Sequence, residues 1–222
     1  MADEKSTKDV ESRETSKRSW KVRFARVMRP IPNKDYIARQ DELARTLHSL
    51  GASAYIAEPG ANAAFYANIS SSNWGLSERP LLLIVTPFEE NGAIKGNISI
   101  LTPAFEATRA RLLPVPSDEE IGYPEWAEDA NPYDVAVSAI PALQQKNGTI
   151  FVDGGIRQFV ADGIQRAAKG SLVTTAPVEV RRLRERKSKA ELEIMKCVNE
   201  RTLRSPMAVA LIGYLKRPTI FS

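Results

Sequence analysis

Apolar and polar positions change period several times along this 222-residue chain. Residues 1–29 alternate charge signs and hold few large apolar side chains, which predicts a disordered tail ended by Pro30 and Pro32. Leu43, Leu47 and Leu50 then recur at i, i+4 and i+7, one buried stripe on a helix over about 34–50. Asn33 is placed to cap that helix and Gly51 to stop it. Ala52–Ala57 reads as a strand, Glu58-Pro59-Gly60 as a turn, and Ala63–Ala67 as a second strand before a polar loop over 68–78. Leu81–Thr86 (LLLIVT) is a continuous apolar run, the pattern of a strand covered on both faces. Asn91-Gly92 is a hairpin turn signal within a long predicted loop, and Asn97–Leu101 is the strand after it.

Pro103 opens a short helix (PAFEATRARLL), and residues 114–131, rich in Pro, Gly and acids, form a loop. Pro132 suits the first position of a helix over about 132–146, with Pro141 predicting a kink or an early end. Thr149–Asp153 is a strand and about 155–169 a helix. Ser188-Lys189-Ala190-Glu191 has the capping-box pattern ahead of a helix whose apolar face holds Leu192, Met195 and Val198. Strands alternating with helices predict an α/β domain, a mixed sheet flanked by helices.

Charge is unevenly placed. The formal net charge is +4, but residues 31–180 hold eleven Lys/Arg against eighteen Asp/Glu, while residues 181–222 hold eleven against four. A duplex-binding domain carries its basic excess on the folded part, so no nucleic-acid partner is expected. No window reaches the roughly 18 apolar residues of a membrane span, and the N-terminus has no apolar signal-peptide core, so no membrane association and a cytoplasmic location are expected. The sequons at Asn68, Asn97 and Asn147 leave the secretory pathway as the alternative, if the true N-terminus is missing.

Catalytic chemistry has few candidates. The lone Cys197 excludes an internal disulfide and a Cys-based zinc site. His48, the one histidine, lies beside the apolar stripe with no acidic cluster, which favours a solvated histidine over a metal ligand or base. Asp153 and Asp162 resemble half of a carboxylate metal site, but a strand-end aspartate and an exposed helix residue explain them better. Two side chains in or beside the polar loop stand out. Trp74 is either an aromatic platform for a ligand or partner, or a side chain folded onto its own core. Arg79, just before a core strand, either faces a cleft and pairs with a substrate carboxylate, or forms a surface ion pair. The run Arg181–Lys187 is a basic patch for an acidic partner or a solvated linker.

Four segments together resemble the N-terminal domain of the creatinase, prolidase and aminopeptidase P family, with wording close to fungal Xaa-Pro peptidase-like members. They are Ala54–Ser70 (AYIAEPGANAAFYANIS), Ser77–Pro87 (SERPLLLIVTP), Leu101–Arg109 (LTPAFEATR) and Val178–Leu203, whose Arg184-x-x-Lys187-Ser188-x-x-Glu191-Leu192 is similar to the family's hinge. The resemblance covers about 33–204 and implies the α/β domain over 31–178 and a hinge helix over 179–204, between the polar tail over 1–30, expected to be disordered, and an unmatched apolar tail over 205–222. It also implies a second, pita-bread domain with two divalent ions, typically Mn or Zn, that hydrolyses peptide bonds before proline. That domain's ligands match nothing here, so the chain is expected to be truncated, without catalytic residues, metal ligands or cofactor of its own, and inactive alone. The domain would then serve a dimer contact and wall a partner's active site, with Trp74 and Arg79 as candidates for the wall. The alternative is a stand-alone regulatory module that pairs with a full-length relative.

Overall fold

The computed structural model describes residues 30–144 and 147–203. The sequence expectations for residues 1–29 and 205–222 lie outside these. The described residues fall into two compact units: a layered domain over Pro32–Arg186, and a helix that follows it.

The domain opens on helix α1 (Asn33–Ser49). Pro32, rather than Asn33, occupies the cap position, and no side chain caps this end. Proline's fixed φ, here −64°, gives the extended geometry a cap needs, so the chain turns into the helix one residue early. Leu43, Ala44 and Leu47 form the buried stripe, and Gly51, at a φ of +66°, ends the turn. Strand β1 (Ala52–Ala57) follows, then helix α2 (Ala61–Ala67). The strand expected at Ala63–Ala67 is therefore helical. Its alanines are strong helix formers, and Asn68 closes it in the left-handed conformation at a φ of 57°.

Strands β2 (Leu82–Glu90) and β3 (Ala93–Pro103) form a long hairpin. Asn91 and Gly92 both have positive φ, 52° and 75°, the geometry of a two-residue turn matched to strand twist. The long loop expected around them does not exist; pairing runs to Glu90↔Ala93. Pro87 interrupts nothing, because β1 pairs with β2 only as far as Val85 and Pro87 has one strand neighbour. A single 3-10 turn (Ala104–Glu106) and helix α3 (Ala107–Arg111) lead to the short strand β4 (Glu125–Trp126).

Helix α4 (Pro132–Ser138) is capped by Asn131, whose side chain accepts from the Tyr133 N–H. It ends before Pro141, which opens a separate 3-10 turn, so the single helix over 132–146 is replaced by two short pieces. Strand β5 (Thr149–Val152), helix α5 (Gln158–Ala167), strand β6 (Leu172–Thr175) and helix α6 (Val178–Arg182) complete the domain. Neither β6 nor α6 has a signal strong enough to be read from the sequence.

The six strands form one mixed sheet in the order β4-β3-β2-β1-β5-β6. β1, β5 and β6 run parallel, and β2 is antiparallel to both its neighbours. Both faces are covered, and alternate residues serve different layers. Tyr55, Leu83 and Val85 face Leu43 and Leu47 of α1 and Phe65 of α2; Ile56, Leu82 and Ile84 face Ile140 and Val160 and Ile164 of α5. The apolar run at 81–86 is explained by this double burial. Two glycines allow close approach. A Cβ on Gly96 of β3 would lie 2.7 Å from the Gln40 carbonyl oxygen of α1, and one on Gly163 of α5 would enter the Tyr133 ring.

The outer edge of β6 is closed by one side chain. The Gln165 amide accepts from the Val173 N–H at 3.0 Å and donates to the Ser171 carbonyl at 3.0 Å, taking the place of a neighbouring strand there.

Helix α7 (Lys189–Leu203) starts with the expected capping box. The Ser188 N–H donates to Glu191 Oε2 at 2.8 Å, and the Glu191 N–H donates to Ser188 Oγ at 3.3 Å. Among the described residues, no helix is long and apolar enough to cross a membrane.

Candidate functional site

Two polar regions have enough structure to be considered as sites. The first is the loop over 68–80. It is fixed at its start by Asn68, whose side chain accepts from the Tyr36 hydroxyl and donates to the Pro114 carbonyl. Ser70 then closes a turn by accepting from the backbone N–H groups of Asn73 and Trp74. That turn folds Trp74 inward, leaving it 2% exposed. Arg109 of α3 covers the ring at 4.0 Å and is itself held by Glu106 at 2.6 Å. Trp74 is thus part of the core in this chain and is not an open platform.

Arg79 stays at the surface. Its Nε lies 3.0 Å from Glu128 Oε1, its Nη2 3.2 Å from Glu128 Oε2, and its Nη1 2.9 Å from Glu78 Oε1. The hydrogen-bonded Glu128 carboxylate, first among the causes, raises Arg79 above its ordinary value. The guanidinium also lies over Phe105 at 5.4 Å. Phe105 is 62% exposed, so an apolar surface accompanies Arg79. Phe105 and Arg109 could not be singled out from the sequence. Their relation to the loop depends on how the 3-10 turn and α3 pack beneath it.

The second region lies beyond the carboxyl ends of β1 and β5. Strand β1 leaves its end toward α2 on one face, and β5 leaves toward α5 on the other. Such a divergence opens a crevice in α/β sheets. Here the protein fills it with its own polar side chains. Glu58 is buried, and its Oε2 accepts from the Arg157 N–H at 2.8 Å. Its Oε1 accepts from Arg157 Nε and Nη2 at 2.8 and 2.6 Å. A carboxylate therefore occupies the start of α5, where a helix favours negative charge.

Beside it, Asn62 at the start of α2 donates to Asp153 Oδ1 at 2.5 Å and accepts from Arg184 Nη1 at 3.0 Å. The Tyr55 hydroxyl lies within the influence of the same aspartate. Burial, and then the Asp153 carboxylate, push the Tyr55 hydroxyl well above the usual tyrosine range. Burial pushes Tyr66 up as well, against the lowering effect of Arg184. These residues are scattered from position 55 to 184, and no local motif announces them.

The tyrosine shifts set an alkaline limit. Unfolded tyrosines ionise near pH 10, whereas in the fold Tyr55 and Tyr66 stay neutral to higher pH. Their contribution is complete below that pH and is lost as pH rises beyond it, by about 1.4 kcal/mol per pH unit for each group. Urea unfolding followed from pH 9 to 11.5 should show that decline. Tyr55→Phe should make it shallower by one tyrosine's share; an unchanged slope would contradict the assignment.

The remaining sequence candidates stay apart. His48 is exposed in the last turn of α1. Asp162 accepts from Gln158 on the surface of α5, while Asp153 faces Asn62. Among the described residues, no three His, Cys, Asp or Glu side chains form a group able to hold a metal ion. In the basic run, Leu183 and Arg184 turn inward and Arg181, Arg182, Arg186 and Lys187 are exposed.

No protein-family model matches the chain. An uncharacterized peptidase of Schizosaccharomyces pombe is 35% identical over 175 residues, which are 78% of this chain and 37% of that protein. Among solved structures, the dipeptidase PepE from Mycobacterium ulcerans superimposes with a TM-score of 0.59 at 18% identity, over 74% of this chain and 40% of its own. A prolidase from Thermococcus sibiricus superimposes with a TM-score of 0.54 at 18% identity, over 72% and 39%. The chain thus spans about two fifths of the length of each of these relatives.

Proposed function

We propose that this chain, which has the mixed α/β fold of the creatinase-type N-terminal domain in prolidase-like dipeptidases, is the non-catalytic domain of an Xaa-Pro metallopeptidase-like protein. The observation that carries this is the 35% identity to a peptidase over 175 residues, 78% of the chain, together with that fold. Hydrolysis before proline would belong to the part of such a protein that this chain does not span. The two divalent ions of such chemistry do not fit the side chains described here. Asp153 is committed to Asn62, and Asp162 faces away on α5.

In this reading the domain supplies a dimer contact and one wall of a partner's substrate site. Arg79 is the wall residue best placed to meet a substrate, with Phe105 beneath its guanidinium. Trp74 acts from behind, by supporting Arg109. The test is a chimera in which residues 31–204 replace the matching part of the fission-yeast peptidase. It is assayed on Xaa-Pro peptides with Mn²⁺. Arg79→Ala and Trp74→Ala should each lower kcat/KM roughly tenfold, about 1.4 kcal/mol of transition-state binding. Two active variants with unchanged kcat/KM would remove both residues from the wall. A native chain that co-purified with the fission-yeast protein and lowered its activity would favour the regulatory alternative.

A further inference from the structure

The crevice beyond β1 and β5 is occupied by a residue from far along the chain. Arg184 follows α6, on the segment that leads out of the domain. Its neighbours Arg181, Arg182, Glu185, Arg186 and Lys187 are exposed, and Arg184 is half-buried. Its Nη1 donates to Asn62 Oδ1 at 3.0 Å, and Asn62 passes the interaction on by donating to Asp153 at 2.5 Å. The contact spans 122 positions of sequence. Leu183, next to it, packs against the buried side chains on the α1 face of the sheet, and Val180 is buried there.

A lone arginine drawn from a basic run into a polar recess differs from a solvated linker. The amide of Asn62 has one acceptor and one donor face, and both are used: the acceptor for the guanidinium, the donor for the carboxylate. Asp153 thus orients Asn62, and Asn62 presents its oxygen to Arg184. Charge adds to this geometry, because a guanidinium facing an amide fixed on a carboxylate gains from both. The whole arrangement lies within the layered domain, so it does not depend on where α7 goes.

We propose that Asn62 and Asp153 form a receptor for Arg184, a built-in latch that holds residues 183–186 across the crevice. Release of Arg184 frees the basic segment and opens the crevice in one step. The latch is independent of the peptidase reading and stands or falls on the domain alone.

The segment is rich in trypsin sites, which makes the latch measurable on the full chain. Under native conditions, cleavage reports the population in which the segment is open. Asn62→Ala should raise the rate of tryptic cleavage within 182–187 tenfold or more, and Asp153→Asn should raise it by less. The urea midpoint should barely change, and so should cleavage at Arg45 and Arg111. Amide exchange should lose protection at 183–186 and keep it in β1 and β5. Unchanged cleavage within 182–187 would overturn the latch. Faster cleavage that appears equally at Arg45 and Arg111, with a lowered urea midpoint, would also overturn it, because Asn62 would then be holding the fold as a whole.

Discussion

Glu58→Ala should lower the unfolding free energy by about 3–5 kcal/mol, the usual cost of leaving one charge of a buried pair behind. In a domain of this size that corresponds to a Tm loss of roughly 10 °C or more. Glu58 is 5% exposed and takes three hydrogen bonds from Arg157, one from the backbone at the start of α5 and two from the guanidinium. Without it, both the helix start and the half-buried guanidinium lose their acceptor. The pair as a whole is worth less than this figure, because burying two charges costs solvation. The double variant Glu58→Leu with Arg157→Leu should therefore recover most of the loss. Urea denaturation of the two single variants and the double variant measures the coupling. A Glu58→Ala loss under 1 kcal/mol would mean that the end of β1 is not held to α5 in this way.

Gln40→Leu is the second large effect, about 2–5 kcal/mol. Gln40 is a polar side chain 2% exposed on the buried face of α1. Its Nε2 donates to two backbone carbonyls, Tyr66 at 2.9 Å and Pro116 at 2.8 Å. Leucine fits the same space but leaves both carbonyls unpaired, and each buried unpaired group costs about 1–3 kcal/mol. The site cannot relax by moving α1 closer to the sheet, since the Gln40 backbone already rests on Gly96 of β3. The loss should be visible by thermal unfolding. In amide exchange it should appear first at the end of α2 and at residues 114–117. A neutral Gln40→Leu would show that water replaces both bonds.

What could be read from the sequence depended on how far a pattern reached. The run at Leu81–Thr86 identified a doubly covered strand because burial on both faces removes every polar position. Residues 87–90 continue that strand but were unreadable: Pro87 and two glutamates look like a loop, and only the single-sided pairing with β3 explains them. Ala63–Ala67 was misread because five small or aromatic residues fit either period, and contacts with α1 decide between them. Asn91-Gly92 gave the right turn with the wrong loop length for the same reason as Pro87. β6 was missed because it is a four-residue edge strand whose outer side is satisfied by a glutamine rather than by another strand.

The candidate site was less legible than the fold. Trp74 stood out because it is a tryptophan in a polar loop, yet the turn that buries it is a backbone feature without a sequence signature. Arg79 was correctly placed next to a core strand, but its partner Glu128 lies 49 residues away. Glu58, Asn62, Asp153, Arg157 and Arg184 meet only because β1 and β5 are neighbours. Nothing in their spacing encodes that adjacency.

The order of strands also has a consequence in time. The β2–β3 hairpin closes over a two-residue turn, so its contacts are local, and hairpins of this kind form in about 1–10 μs. β1 and β5 pair across nearly a hundred residues of intervening chain, a contact that must overcome a far larger loop entropy before it is rewarded. The hairpin is therefore the template on which the rest assembles, and the β1–β5 seam closes late. Glu58 with Arg157 bridges that seam. Loss of this ion pair should speed unfolding while leaving the rate of folding nearly untouched. The contact between the end of β1 and the start of α5 is then among the last to form, and the Glu58–Arg157 pair determines how long the native state lasts rather than how quickly it is reached.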